Sequence, residues 1–178
     1  MKRIVNYAAV FAAAACLAAM PASAQSPKDE ASVAVGGKTI SVKYSAPSVR
    51  GRKIFGDDGL IANDQHYPVW RAGANEATAL HTDADLTIGT LKVPKGDYTL
   101  FVLVKDPNAW ELIVSKDTGE WGLSYKDNMD LGRVKMTMSK PAALVERLKY
   151  ELTSPGPGKA KLTLSWENHV GSVAIAVK

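Results

Sequence analysis

Along the chain, apolar and polar positions alternate with a period near two, the pattern of strands that bury one face. Ala31-Ser32-Val33-Ala34-Val35 and Lys38-Thr39-Ile40-Ser41-Val42-Lys43-Tyr44 flank Gly36-Gly37. This predicts a hairpin, because two glycines supply the positive φ a tight turn needs. Ala77 to Thr82 and Asp85 to Gly89 read as two strands joined by a turn at Asp83-Ala84, and Leu91-Lys92-Val93 runs into the turn Pro94-Lys95-Gly96-Asp97. Tyr98 to Val104 is almost wholly β-branched, aromatic or aliphatic, which predicts a central strand buried on both faces. Trp110 to Ser115 is its expected antiparallel neighbour.

Further on, Arg133 to Met138 alternates Val134, Met136 and Met138 against Arg133, Lys135 and Thr137. A helix is admissible over Pro141 to Leu148, with strand from Leu148 onward. Leu162 to Trp166 and Val173 to Val177 alternate cleanly and frame a turn at Asn168-His169-Val170-Gly171. Ser45 to Tyr67 is the long irregular stretch. A loop of that length in a compact domain is usually functional or folded over the surface, and Ile54, Phe55, Leu60 and Ile61 predict that part of it packs down as a lid. About ten short strands with frequent turns imply an all-β protein: one antiparallel β-sandwich, jelly-roll-like or a flattened barrel, with at most one short helix. Nearly all connections are expected to be hairpins, apart from the Ser45–Tyr67 crossover.

Composition changes this picture mainly at the N-terminus. Lys2 and Arg3 precede an apolar run to Met20, and Ala22-Ser23-Ala24 forms a small-residue cleavage site, so 1–24 reads as a secretory signal and 25–178 as the mature domain. The expected location is periplasmic or secreted after cleavage near Ala24, with no transmembrane segment once the signal is gone. Cys16, the only cysteine, leaves with the signal; lipidation there is disfavoured because the usual preceding leucine is missing. The full chain has 22 basic and 18 acidic residues, and losing Lys2 and Arg3 leaves a mature charge of only +2. That does not suggest nucleic acid.

The densest polar chemistry lies in Trp70-Arg71-Ala72-Gly73-Ala74-Asn75-Glu76. Arg71 is a permanent cation with a fixed fork of donors, suited to a carboxylate or carboxamide. With Arg52, Asn75 and Glu76 it could bind a polar or anionic ligand, Trp70, Trp121 or Tyr125 giving a stacking wall. The residues alone favour instead an internal Arg–Glu–Asn network that ties the long loop to the sandwich. If the protein is an enzyme, Glu76 with His81, or with Asp57 or Asp58, is the candidate acid–base pair of a hydrolase or lyase on a cell-wall or carbohydrate substrate. His66, His81 and His169 have no metal-ligand spacing, and no cofactor motif is present, so neither metal nor cofactor is expected. The favoured reading is a non-catalytic envelope module that binds a glycan, a peptide or an envelope protein. A purely structural module is the third.

Ser45-Ala46-Pro47-Ser48-Val49-Arg50-Gly51-Arg52-Lys53-Ile54-Phe55-Gly56 and Val69-Trp70-Arg71-Ala72-Gly73-Ala74-Asn75-Glu76-Ala77-Thr78 resemble the motifs of the bacterial domain of unknown function 2911 family. Pro94 to Phe101, Trp110 to Ile113 and Trp121-Gly122 follow in the family's order. The resemblance covers nearly all of the mature chain. It implies an exported β-rich domain and carries no activity with it. Arg52, Trp70, Arg71, Asn75 and Glu76 are among the residues that carry it.

Overall fold

Alternation becomes strand almost everywhere it is found. The computed structural model describes residues 25–178, so the expected signal sequence, Cys16 and the expected cleavage site at Ala24 lie outside the described residues. Thirteen strands are present among the described residues: β1 (Lys28–Val35), β2 (Lys38–Ser45), β3 (Val69–Trp70), β4 (Thr78–Thr82), β5 (Leu86–Ile88), β6 (Leu91–Val93), β7 (Gly96–Leu103), β8 (Glu111–Ser115), β9 (Asp130–Lys135), β10 (Thr137–Ser139), β11 (Val145–Gly156), β12 (Lys159–Glu167) and β13 (His169–Val177). Two short 3-10 turns, Leu60–Asn63 and Asp127–Met129, are the only helical segments among the described residues. None is long and apolar enough to cross a membrane.

All pairings are antiparallel, and they divide the strands into two sheets that do not close into a barrel. The first runs β1-β2-β4-β7-β8-β9, with β3 beside the far half of β7. The second runs β11-β12-β13-β5-β6, with β10 also on β13. Ile40, Val42, Leu80, Leu100 and Leu112 of the first meet Leu86, Ile88, Leu148, Leu162 and Ile175 of the second in one buried cluster. Each such side chain contributes about 1.5–3 kcal/mol relative to exposure. β7 is buried on both sides as its composition predicts: Leu100 and Val102 enter this core, while Phe101 packs outward with Val69, Ile113 and the half-buried Tyr125. The β1–β2 turn uses Gly36 and Gly37 at φ of 58° and 76°, the primed geometry that matches strand twist.

Four expectations are corrected. Hairpins do not dominate, because the connections β4–β5, β6–β7 and β9–β10 pass between sheets. The stretch Arg133 to Met138 is two strands: Met136 is the pivot, its N–H bonded to the Trp110 carbonyl at 2.9 Å, and the chain changes sheet there. No helix forms over Pro141 to Leu148; β11 begins at Val145, held against the loop by Leu148 N–H to the Pro47 carbonyl and Val49 N–H to the Glu146 carbonyl. The last turn is tighter than expected, with Trp166 paired to His169 and Glu167 at φ 54°.

This topology brings the ends of β2, β7 and β12 to the same pole as the starts of β4, β8, β11 and β13. The Ser45–Tyr67 segment folds over that pole. It inserts Ala46, Val49, Ile54, Phe55 and Ile61 into the core, in agreement with the lid predicted from Ile54, Phe55 and Ile61, although Leu60 stays exposed.

Candidate functional site

Beneath the loop lies an aromatic cluster. Phe55 stands edge-on to Trp70 (5.6 Å), Trp166 (6.0 Å) and His169 (4.7 Å), and tilted against Trp110 (4.9 Å). Trp70 and Trp166 stack at 5.6 Å. Trp70 is only 2 % exposed, so it is a core residue that presents little more than an edge and offers no open stacking face.

The chain after Trp70 departs from extended backbone twice. Ala72 and Asn75 adopt φ of 51° and 58°, a left-handed conformation that costs a non-glycine residue about 1–2 kcal/mol. Buried hydroxyls hold the first of them. Thr78 Oγ1 lies 3.2 Å from the Arg71 carbonyl and 3.1 Å from that of Ala72, and Tyr150 donates its hydroxyl to Ala72 at 2.9 Å. Burial pushes the Tyr150 hydroxyl pKa well up, so it stays a donor. Tyr150 comes from the opposite sheet and also packs edge-on against Tyr44 at 4.8 Å.

These two reversals separate the polar residues of the motif. Arg71 does not meet Glu76. Its Nη2 donates to Asp64 Oδ2 at 3.3 Å, with side chains 21 % and 10 % exposed. Its stem lies against Gly122, whose N–H bonds to the Asn75 carbonyl at 3.1 Å. Glu76 turns to the other side, 55 % exposed, where Lys28 pairs with it at 3.0 Å. The expected Arg–Glu–Asn network is therefore absent, and an Arg71–Asp64 pair ties the loop instead. Gln65 and His66 add bonds to the Leu123 carbonyl at 2.9 and 2.6 Å. Glu76→Gln should change unfolding free energy by no more than about 0.5 kcal/mol, since an exposed pair is worth little; urea titration of both proteins checks this.

What the pole does gather is a cleft of about 510 Å³ lined by Arg50, Arg52, Asn63, Asp64, Arg71 and Asn75, with Leu60 and the buried tryptophans Trp70 and Trp166 also on its wall. Four residues singled out from sequence, Arg52, Trp70, Arg71 and Asn75, line it together. Arg52 is held by its own turn, donating from Nε to the Val49 carbonyl (3.0 Å) and from Nη2 to Ser48 (2.6 Å). Arg50, which sequence reasoning passed over, sits at φ 50°, its N–H bonded to Glu146 Oε1 at 2.9 Å. Its place in the Val49-Arg50-Gly51-Arg52 run was the available signal.

The other candidates lie elsewhere. Trp121 is 51 % exposed and forms an isolated antiparallel bridge with Glu76, outside the cleft lining. Tyr125 packs edge-on against Phe101 at 4.9 Å and donates to Asp130 Oδ2 at 2.9 Å, while Arg133 donates to its hydroxyl at 2.8 Å. Burial, reinforced by Asp130, pushes the Tyr125 pKa up to about 12. His81 is on the exposed side of β4 between Asp97 (2.7 Å) and Asp83 (3.2 Å), which raise its pKa, and it shares no bond with Glu76. Asp58 pairs with Lys53, and Asp57 is exposed. Among the described residues no cluster of histidine, cysteine or carboxylate could hold a metal.

An unforeseen acid–histidine pair sits behind Phe55. Glu167, 9 % exposed, accepts the Ile54 N–H at 2.9 Å, and its Oε2 lies 3.3 Å from His169 Nδ1, without hydrogen-bond alignment. The ring stacks on Trp110 at 5.7 Å. Burial lowers the His169 pKa below its ordinary 6.5 against the pull of Glu167, with Lys140 adding to the lowering. The unfolded chain therefore takes up this proton first as pH falls, and His169 removes stability from about pH 6.5 downward. His81 has the opposite sign: its raised pKa adds stability below 6.5 that is lost as pH rises. Urea midpoints between pH 5.5 and 7.5 should show the acid loss flattened in His169→Phe and steepened in His81→Asn.

Fold and site together define an antiparallel β-sandwich with a cationic cleft at one pole. The chain belongs to the DUF2911 family, described as proteins of unknown function, whose model matches residues 26–175. No curated protein and no solved structure gives a match.

Proposed function

We propose that this is an exported binding protein of the bacterial envelope, without catalysis of its own, whose ligand enters the polar cleft beneath the Ser45–Tyr67 loop. The observation that carries the reading is where the backbone is strained. Of the four non-glycine residues at positive φ among the described residues, Arg50 and Asn75 line the cleft, Ala72 lies between the lining residues Arg71 and Gly73, and Glu167 follows Trp166. Strain of this kind gathers where function, and not folding, dictates geometry. The cleft volume of about 510 Å³ falls in the usual range for small-molecule sites. Gln25 and Ser26 also line it, so cleavage after Ala24 would leave the new N-terminus at its rim.

The hydrolase or lyase reading receives no comparable support, since Glu76 pairs with Lys28 and His81 with Asp97 and Asp83, and the two share no bond. A glycan, a peptide or an envelope protein remains the ligand class. The test is a heteronuclear NMR titration of the protein with envelope glycan fragments and envelope peptides. Saturable shifts concentrated at Arg52, Arg71, Ala74 and Asn75 are the expected result. Shifts confined to other surfaces, or none with any of these ligands, would remove the cleft from consideration.

A further inference from the structure

Resting on that reading of the cleft, we infer that its ligand is a small acidic saccharide: a sugar carrying a carboxylate or a phosphate. The first observation is charge. Three arginines, Arg50, Arg52 and Arg71, line one cleft, against a single acidic lining residue, Asp64. Asp64 is committed to Arg71 at 3.3 Å. Neither Arg50 nor Arg52 has a carboxylate partner for its side chain among the described residues; Glu146, the nearby acid, bonds the Arg50 backbone. The lining residues thus carry an excess of about two positive charges, as large as the net charge of residues 25–178 as a whole.

Orientation is the second observation. The two carbonyls that hold the Arg52 side chain occupy two of its five N–H donors and leave a fixed fork with spare capacity. Arg71 is aimed by Asp64 and held along its stem by Gly122. Guanidinium forks placed this way suit planar or tetrahedral oxyanions, which they grip with two parallel bonds.

The third is the neutral lining. Asn63, Asn75, Ser26 and Ser48 supply donors and acceptors of the kind sugar hydroxyls use, and the exposed Leu60 with the half-buried Ala74 gives a ring's C–H face something to cover. A bare inorganic anion would leave most of the cleft unused. A neutral sugar would leave the excess charge unanswered.

The test is an amide-shift NMR titration of the protein with glucuronate, galacturonate and glucose 6-phosphate, with glucose and inorganic phosphate as controls. The expected result is saturable shifts at Arg50, Arg52, Arg71 and Asn75 with at least one acidic sugar. Glucose should bind at least tenfold more weakly, inorganic phosphate should also be weaker, and Arg50→Gln/Arg52→Gln should cost the acidic sugar at least tenfold. Glucose binding at the same amides as tightly as the acids would overturn the acidic class while leaving the cleft a site. Inorganic phosphate matching the sugars would overturn the saccharide. No shift with any acidic sugar overturns the inference, and the glycan and peptide titration above then decides separately whether the cleft binds anything. An unchanged affinity in the double variant, with its spectrum otherwise that of the folded protein, would also overturn it.

Discussion

Replacing Phe55 by alanine is expected to cost about 3–5 kcal/mol of folding free energy and to loosen the loop over the cleft while the two sheets persist. The ring is 5 % exposed and lies against Trp70, Trp110, Trp166 and His169. Its removal leaves a cavity walled by four large rings drawn from β3, the β7–β8 connection, β12 and β13, which cannot collapse together without moving strands. The damage should also reach the hydrogen bond next to it. Phe55 helps to hold Ile54 N–H on Glu167 Oε1, and a carboxylate released from that bond is left at a buried turn with His169 as its one remaining neighbour among the described residues. Urea unfolding reads the stability, and amide exchange of Val49 to Ile61 reads the loop. A loss below about 1 kcal/mol would mean that the loop is held by its hydrogen bonds and not by this ring.

Gly122→Ala is expected to cost about 1–3 kcal/mol, a large effect for one methyl group added to a loop. A Cβ there would stand 2.7 Å from the Asn75 carbonyl oxygen and 2.7 Å from Arg71 Cδ. The arginine stem can move, but the carbonyl belongs to a residue already at φ 58° and is the acceptor for the Gly122 N–H itself. Both contacts cannot be relieved without parting the Trp121-Gly122 segment from the motif. Arg71 should then lose its alignment on Asp64, so the variant should also lose binding in the cleft. Thermal unfolding and the NMR titration with acidic sugars together check this. Full stability with unchanged binding would show that the two segments need not touch.

Most of the fold was legible because the information is local. Alternation, the Gly36-Gly37 turn and the doubly apolar Tyr98–Val104 each report on a strand or turn directly. Which sheet a strand joins is not written in its own residues, and the three sheet-changing connections were therefore misjudged. Met136 looks like any other inward residue of an alternating run until the carbonyl of Trp110 is found opposite its N–H. The candidate site divides in the same way. Arg52, Trp70, Arg71 and Asn75 reach one cleft, because the motif and the loop meet at one pole. Glu76 does not, because left-handed backbone at Ala72 and Asn75 turns it to the opposite side, and nothing in Ala-Gly-Ala-Asn requires that. Asp64 takes its place beside Arg71, seven residues away along a loop whose path no periodicity describes. Glu167 and His169 were hidden more deeply, since the acid's partner Ile54 is 113 residues distant.

The claim that the cleft is kept for a ligand and not for the fold is tested most directly by the urea unfolding free energy of Arg50→Gln/Asn75→Gly. Arg50 makes no side-chain hydrogen bond or ion pair among the described residues, and glutamine meets the same φ of 50° on equal terms. At Asn75, glycine relieves the left-handed backbone, which offsets the about 0.5–1 kcal/mol it adds to the entropy cost of folding. The account predicts a value within about 0.5 kcal/mol of wild type, or above it. A loss greater than about 1 kcal/mol would contradict it, because the arginine and the carboxamide would then be serving the fold.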